Sequence, residues 1–201
     1  IKNLPIASGI GGGSSDAAMT IQTLSCLWKK RIPPLEDILK LGSDVPVCLS
    51  NSFQRMQGVG SKTTLLPTPS EMWIVLANPG VKVSTAKIFG FLQNKNNEGL
   101  ERLDRRADQD SFFSYLKRQR NDLEDVTCGL FPEVKLMLEI INSTSNCKLS
   151  RMSGSGSTCF GLYSEEEFAS RAVNEINENF PRAWVVSARL FSTNSSYNEI
   201  S

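Results

Sequence analysis

Histidine is absent from the 201 residues. Its absence removes histidine-based nucleophile triads and most zinc sites from the available chemistry. An excess of either charge is also lacking. There are 22 Lys and Arg against 21 Asp and Glu, a formal net charge of +1. That balance gives no general attraction for nucleic acid or for an anionic membrane. The short basic runs Arg105-Arg106 and Lys117-Arg118-Gln119-Arg120 read as solvated helix faces. No apolar run approaches the roughly 20 residues that span a bilayer, and no signal peptide pattern is visible. The cysteines Cys26, Cys48, Cys128, Cys147 and Cys159 are odd in number and show no CxxC or CxH spacing. The expectation is reduced, buried thiols in a cytoplasmic protein. Gly-Lys-Ser/Thr, the signature of a Walker A loop, does not occur. Forty per cent of the chain is hydrophobic, so it can bury a core and is neither disordered nor dependent on disulfides.

What is present begins with a Gly/Ser-rich turn over residues 5 to 15, Pro5-Ile6-Ala7-Ser8-Gly9-Ile10-Gly11-Gly12-Gly13-Ser14-Ser15. Ala17, Ile21, Leu24 and Trp28 then recur at helical spacing. The predicted helix is capped by Ser14 or Ser15, with Asp16 in its first turn. A second short helix runs from Leu35 to Leu41, and Gly42-Ser43-Asp44-Val45-Pro46 breaks it. Strands flank a turn at Gly58-Val59-Gly60. Leu66-Pro67-Thr68-Pro69-Ser70 is the predicted domain boundary, which gives domains at 1–69 and 70–201. Beyond it, strands are expected at Trp73–Ala77, 149–153, 158–163 and 184–191. Helices are expected at 84–92, 112–117, 132–141 and 165–177, with Ser84 as a cap and Pro132 at N1. Residues 93–109 read as a mobile polar loop, and the polar tail from Ser192 as frayed. The order of elements suits an α+β sandwich with helices on one face of an antiparallel sheet.

The glycine turn carries the chemistry. Glycine lets backbone approach a ligand closely. A helix N-terminus offers unpaired N–H groups and partial positive charge, so a phosphate fits there. A flexible linker before a helix is the plainer alternative. The dinucleotide fingerprint fits only in part, because Ser14 stands where its third glycine belongs. Asp44 before Val45-Pro46 can be a turn residue. Asp16 at a helix start is favourable without any ligand. Gly154 and Gly156 can serve as a tight turn alone, Arg151 can pair with an acidic neighbour, and Trp73, Phe89 and Phe131 are expected in the core.

Taken together, the motifs resemble those of the GHMP kinases. Pro5 through Ala18 is similar to that family's phosphate-binding loop, and Lys2 matches a lysine that contacts nucleotide. Gly42-Ser43-Asp44-Val45-Pro46-Val47-Cys48 resembles the Gly-Ala-Asp-Val-Pro segment whose aspartate is the catalytic base. Arg151-Met152-Ser153-Gly154-Ser155-Gly156-Ser157-Thr158-Cys159-Phe160 resembles the third motif, a glycine loop beside the phosphate loop. Asn78-Pro79-Gly80-Val81-Lys82-Val83-Ser84-Thr85 resembles a strand-to-helix segment on the substrate side, and Asn121-Asp122-Leu123-Glu124 is a further family-like element. The resemblance spans roughly Lys2 to Leu190.

The resemblance implies a GHMP-kinase two-domain fold: the C-terminal part of a ribosomal-protein-S5-domain-2-like domain, then a ferredoxin-like α/β sandwich. It implies ATP and Mg2+ as cofactors. ATP would meet Lys2, Pro5, Ser8, Gly9, Gly11, Gly12, Gly13, Ser14 and Ser15, with Ser14 also reaching magnesium. Asp44 would be the base, and Asp44 and Thr85 would lie on the substrate side. The triple glycine with Ser14-Ser15-Asp16-Ala17-Ala18 is the form of the branch that phosphorylates the C2 hydroxyl of 4-diphosphocytidyl-2-C-methyl-D-erythritol. Neither nucleic acid nor membrane is implied, and no oligomeric state follows. A homoserine or mevalonate type of GHMP kinase, or a nucleotide-binding module without catalysis, are the other readings. The family's first motif, an N-terminal strand with Pro-Ala-Lys-Ile-Asn, does not occur in this chain. The resemblance therefore predicts a preceding N-terminal segment. It also predicts that the chain alone is catalytically incomplete, with exposed sheet edges and apolar surface.

Overall fold

The computed structural model describes residues 4–5, 8–50, 52–67, 71–104 and 107–190. The described residues fall into two units. One takes those of Gly11–Thr68, the other those of Ile1–Ile10 and Pro69–Phe191.

The first unit opens with helix α1, Gly12–Leu27. Gly11 stands at its N-cap in the left-handed region, φ 64°, and no side chain caps it. Ser14 and Ser15, expected as caps, lie inside the first turn instead. Four glycines permit the chain to turn into a helix earlier than a Ser cap would mark it. Asp16 consequently falls past the first turn, where the dipole effect has faded. Short helices α2, Leu35–Leu39, and α3, Val45–Cys48, follow. The sequence reading took Gly42–Pro46 as a break only. Pro46 is compatible with α3 because it sits in the first turn, where its missing N–H has no helical partner to lose. Ala18, Ile38 and Val45 form a small buried cluster lined by Ala17, Ile21, Cys48 and Leu49. Strands β1, Gln54–Gln57, and β2, Lys62–Leu65, make an antiparallel hairpin. This unit leaves Leu27, Trp28, Leu41, Val59 and Leu65 exposed.

The second unit is built on β3, Met72–Asn78. Helices α4, Thr85–Phe91, α5, Gln109–Arg118, α6, Glu124–Leu130, and α7, Pro132–Ser143, follow. Then come β4, Leu149–Met152, β5, Cys159–Tyr163, α8, Glu166–Asn179, and β6, Trp184–Leu190. The sheet order is β4-β5-β3-β6, antiparallel throughout. Successive strand residues face opposite sides, so Val75 and Ala77 share a face. That face is covered by Val134, Met137 and Ile141 of α7 and by Ala169, Ala172 and Ile176 of α8, all fully buried. Each helix contributes residues three or four apart, one stripe toward the sheet. Full burial of a side chain such as Ile141 contributes about 1.5–3 kcal/mol. A buried polar pair in this layer is satisfied, Thr144 Oγ1 and Tyr163 Oη lying 2.7 Å apart.

One expectation is corrected, and two features went unforeseen. Phe89 is exposed, because α4 buries Ile88 and little else. The polar loop before α5 is held at Glu101: Tyr115 Oη donates to the Glu101 carbonyl at 3.1 Å, and the Arg118 guanidinium pairs with Glu101 at 3.1 Å. Helix α6 had no forecast, since its seven residues bury only Thr127 and carry no apolar period. The predicted boundary at 66–70 lies partly outside the described residues, as does the tail. No helix among the described residues is long and apolar enough to cross a membrane.

All five cysteines are free thiols. Cys159 is buried, Cys48, Cys128 and Cys147 are half-buried, and Cys26 is exposed rather than buried as expected. Burial raises the pKa of the Cys48, Cys128, Cys147 and Cys159 thiols. Since the thiolate is the reactive form, alkylation of the native protein at pH 8 should modify Cys26 well before the other four. Peptide mass spectrometry would check this, and denatured, unreduced protein should take five labels. Cys159 labelled as fast as Cys26 would contradict the packing described.

Candidate functional site

The loop read as the phosphate binder is shared by the two units, the break falling after Ile10. Its first half belongs with the third-motif loop between β4 and β5. Gly9 has φ 75°, and a Cβ there would stand 2.5 Å from the Ser153 carbonyl oxygen and 2.8 Å from that of Gly156. No side chain fits such a gap. Ser153 Oγ donates to the Gly9 carbonyl at 2.9 Å, and the Thr158 N–H donates to the Ser8 carbonyl at 3.3 Å. Gly154, φ 56°, returns the contact, its absent Cβ lying 3.2 Å from the Gly9 oxygen. The third motif is therefore more than a tight turn: it holds the backbone of Ser8 and Gly9. Ser8 is buried, and Pro5 is half-buried. Lys2 lies outside the described residues.

A shell of side chains fixes the third-motif loop in turn. Asn121 donates through Nδ2 to the carbonyls of Met152, 3.0 Å, and Gly154, 2.8 Å, while its Oδ1 accepts from the Leu123 N–H at 3.1 Å. The Glu124 carboxylate accepts from the Met152 N–H at 2.7 Å. Thr127 Oγ1 donates to the Ser155 carbonyl, and Asn78 Nδ2 donates to Thr158 Oγ1 at 2.8 Å. Thr85, exposed at the start of α4, places Oγ1 2.8 Å from Ser155 Oγ. The candidate substrate-side threonine thus touches the glycine loop itself. Arg151 donates to the Leu116 carbonyl at 2.9 Å and has Glu124 as an acidic neighbour. Burial lowers its pKa, with Glu124 opposing the shift.

The second half of the loop forms the start of α1. The first N–H groups of a helix have no intrahelical partner, which here means Gly12, Gly13 and Ser14; Ser15 N–H already bonds the Gly11 carbonyl at 2.9 Å. No side chain caps them. Among the described residues, nothing lies within 4 Å of where a Cβ would stand on Gly11 or Gly13. Uncapped N–H donors with such room beside the backbone suit the phosphates of a nucleotide. Ser14 is half-buried and Ser15 exposed. Within the same unit, Gly42 sits beside this helix start, its absent Cβ 4.0 Å from Ser14 Oγ. Asp44 follows at the N-cap of α3, exposed, with Ser43 Oγ 3.4 Å from its Oδ1. Burial, and then the charge of Asp44, push the Cys48 thiol up. The helix start and Asp44 are therefore neighbours in one unit.

Comparison with known proteins decides the family. The profile described as GHMP kinases N terminal domain matches residues 1–52, and that described as GHMP kinases C terminal matches residues 93–182. A protein of Cereibacter sphaeroides named 4-diphosphocytidyl-2-C-methyl-D-erythritol kinase is 44% identical over 191 residues, which cover 94% of this chain and 69% of that protein. The chain belongs to the GHMP kinase family. It is a small-molecule kinase by class. The GHMP kinase of the same name from Mesorhizobium japonicum is 42% identical over 195 residues, 96% of this chain and 66% of that protein. Among solved structures, a 4-(cytidine 5'-diphospho)-2C-methyl-D-erythritol kinase superposes with TM-score 0.73 at 27% identity, over 92% of this chain and 68% of that one. A homoserine kinase from Cytophaga hutchinsonii gives TM-score 0.71 at 16% identity, over 95% and 68%, and so shares the GHMP fold.

Sequence reasoning missed the roles of Asn121 and Glu124. Their Asn-Asp-Leu-Glu pattern was visible, but the loop they hold lies about 30 residues away in the chain. Asn121→Asp keeps the side chain's shape and its bond to the Leu123 N–H, but sets a carboxylate against two carbonyl oxygens. It should destabilise the protein by about 1–3 kcal/mol, read from the midpoint of urea unfolding. Unchanged stability would mean that the amide does not hold the loop.

Proposed function

We propose that this GHMP kinase transfers the γ-phosphoryl group of ATP to the C2 hydroxyl of 4-diphosphocytidyl-2-C-methyl-D-erythritol. The observation that carries the reading is the pairing, within one unit, of an uncapped glycine-rich helix start with Asp44. The choice of substrate rests on relatives at 36–44% identity that bear the name of that kinase. In this reading residues 1–69 are the C-terminal part of the N-domain with the phosphate loop, and residues 70–201 are the C-terminal domain.

Phosphoryl transfer asks for positioning and charge stabilisation more than for covalent help from the protein. ATP would supply the phosphoryl group, and Mg2+ would neutralise charge on its phosphates. The backbone from Gly9 to Ser15 receives the phosphate oxygens, with N–H groups of Gly12, Gly13 and Ser14 as donors at the positive end of α1. By resemblance to the family, Lys2, Pro5 and Ser8 would also contact the nucleotide. Ser14 and Ser15 would add hydroxyls, and Ser14 would help hold the metal. Asp44 accepts the proton of the attacking hydroxyl, because an alcohol is a poor nucleophile at neutral pH. Thr85, bonded to the third-motif loop, faces the substrate. The reaction is set in the cytoplasm, with no nucleic acid or membrane as partner.

Two variants of the full-length protein test this. Gly13→Val puts a side chain into open space, so folding should persist while ATP affinity falls by at least about tenfold, or about 1.4 kcal/mol. Isothermal titration with ATP measures it, and unchanged affinity in a folded variant refutes the phosphate loop. Asp44→Asn keeps shape but cannot take a proton. It should lower kcat by about 10²–10⁴-fold and leave ATP affinity nearly unchanged. A folded Asn variant with almost full activity would make Asp44 a turn residue only.

A further inference from the structure

The β1–β2 hairpin has no role in the mechanism above, yet its turn presses on the segment that carries Asp44. Gly60 is buried and has φ 84°. A Cβ on it would stand 1.9 Å from the Ser43 carbonyl oxygen, 2.9 Å from the Ser43 carbonyl carbon and 3.3 Å from Ser43 Cα. Carbon and oxygen do not approach to 1.9 Å without a bond. Only glycine therefore allows the hairpin backbone to lie against this peptide group. That group joins Ser43 to Asp44, and its plane sets the direction in which Asp44 leaves the chain.

The hairpin is fixed at a second point. Gln54 Nε2 donates to the Val47 carbonyl at 3.1 Å, within the short helix α3 that Asp44 begins. The contacts at Ser43 and Val47 bracket Asp44. The hairpin itself is closed by four paired positions, Gln54 with Leu65 through Gln57 with Lys62, and by the Leu66 N–H to Phe53 carbonyl bond at 2.8 Å. Asp44 stands exposed at the N-cap of a four-residue helix, and among the described residues its carboxylate is met by Ser43 Oγ alone, at 3.4 Å. A helix of one turn does not hold its own geometry in water, so the constraint must come from what packs on it.

We infer that the β1–β2 hairpin positions the proposed base, with Gly60 as the positioning residue and Gln54 as its second anchor. The inference rests on the reading of Asp44 as base. Gly60 touches neither substrate nor nucleotide in this account. It acts by fixing the peptide before Asp44.

The turn offers an internal control. Gly58 also has a left-handed φ, 63°, but a Cβ there would meet only the Ser61 hydroxyl, at 3.3 Å. Alanine at either position bears the same left-handed strain, about 1–2 kcal/mol; only at Gly60 does it push Ser43. In the full-length protein, assayed with ATP and 4-diphosphocytidyl-2-C-methyl-D-erythritol, Gly60→Ala should lower kcat by about 10–100-fold, the scale of a displacement near 1 Å. KM for ATP should stay within about threefold, since the phosphate donors are untouched. Gly58→Ala should retain wild-type kcat. In an Asp44→Asn background, Gly60→Ala should cost nothing further, because the group it misplaces is already gone.

The outcomes separate. If Asp44→Asn is impaired while Gly60→Ala keeps full kcat, the positioning role is overturned and the base stands. An additional loss from Gly60→Ala in the Asn background also overturns it. An active Asp44→Asn removes the base and this inference together. Should Gly60→Ala not fold, Gln54→Leu decides: kcat must fall with KM for ATP unchanged, and a fully active Leu variant ends the proposal.

Discussion

Backbone in contact with backbone, with no side chain between, is the constraint on which this molecule's chemistry depends. It occurs where Gly9 meets the turn from Ser153 to Gly156, and again where Gly60 meets Ser43. At each place the gap is smaller than a methyl group. Glycine supplies both the space and the left-handed φ. Hydrogen bonds then fix what the glycines permit, Ser153 to Gly9 in one case and Gln54 to Val47 in the other. Loops built this way are rigid for a reason that ordinary packing does not provide, since neither partner has a rotamer to change.

The hydrophobic sheet layer serves these loops by holding their ends. Strands β4 and β5 are paired from Leu149 with Leu162 to Met152 with Cys159, and the glycine turn is the short link beyond that last pair. Helices α7 and α8 bury one face of the sheet. Helix α6 buries little, but the segment leading into it supplies Asn121 and its first residue is Glu124. Polar side chains at the edge of a well-packed layer thus carry order from the core to the loop.

Much of this was legible in the chain. Strands β3, β5 and β6 and helices α7 and α8 have strong periods, and each appeared within about two residues of its predicted range. The glycine motifs were legible because Gly9, Gly11, Gly12 and Gly13 crowd the start of a predicted helix. Three features were not. The cap of α1 was misread because Ser at a helix start is usually a cap, whereas here left-handed Gly11 begins the helix. Helix α3 was hidden by Pro46, a breaker almost everywhere except the first turn. The approach of Gly60 to Ser43 is a long-range contact between two loops, and no local pattern records it.

The distribution of tryptophan has a consequence for spectroscopy. Trp28 stands 61% exposed in the first unit, whereas Trp73 and Trp184 are half-buried in the sheet of the second. Indole emission moves to longer wavelength in water, so the blue side of the spectrum belongs to the sheet. Melting of that unit alone would remove the blue component and leave Trp28 almost unchanged. Intrinsic fluorescence compared with a probe of helix content would therefore reveal whether the units lose structure together, a test of cooperativity that needs no label.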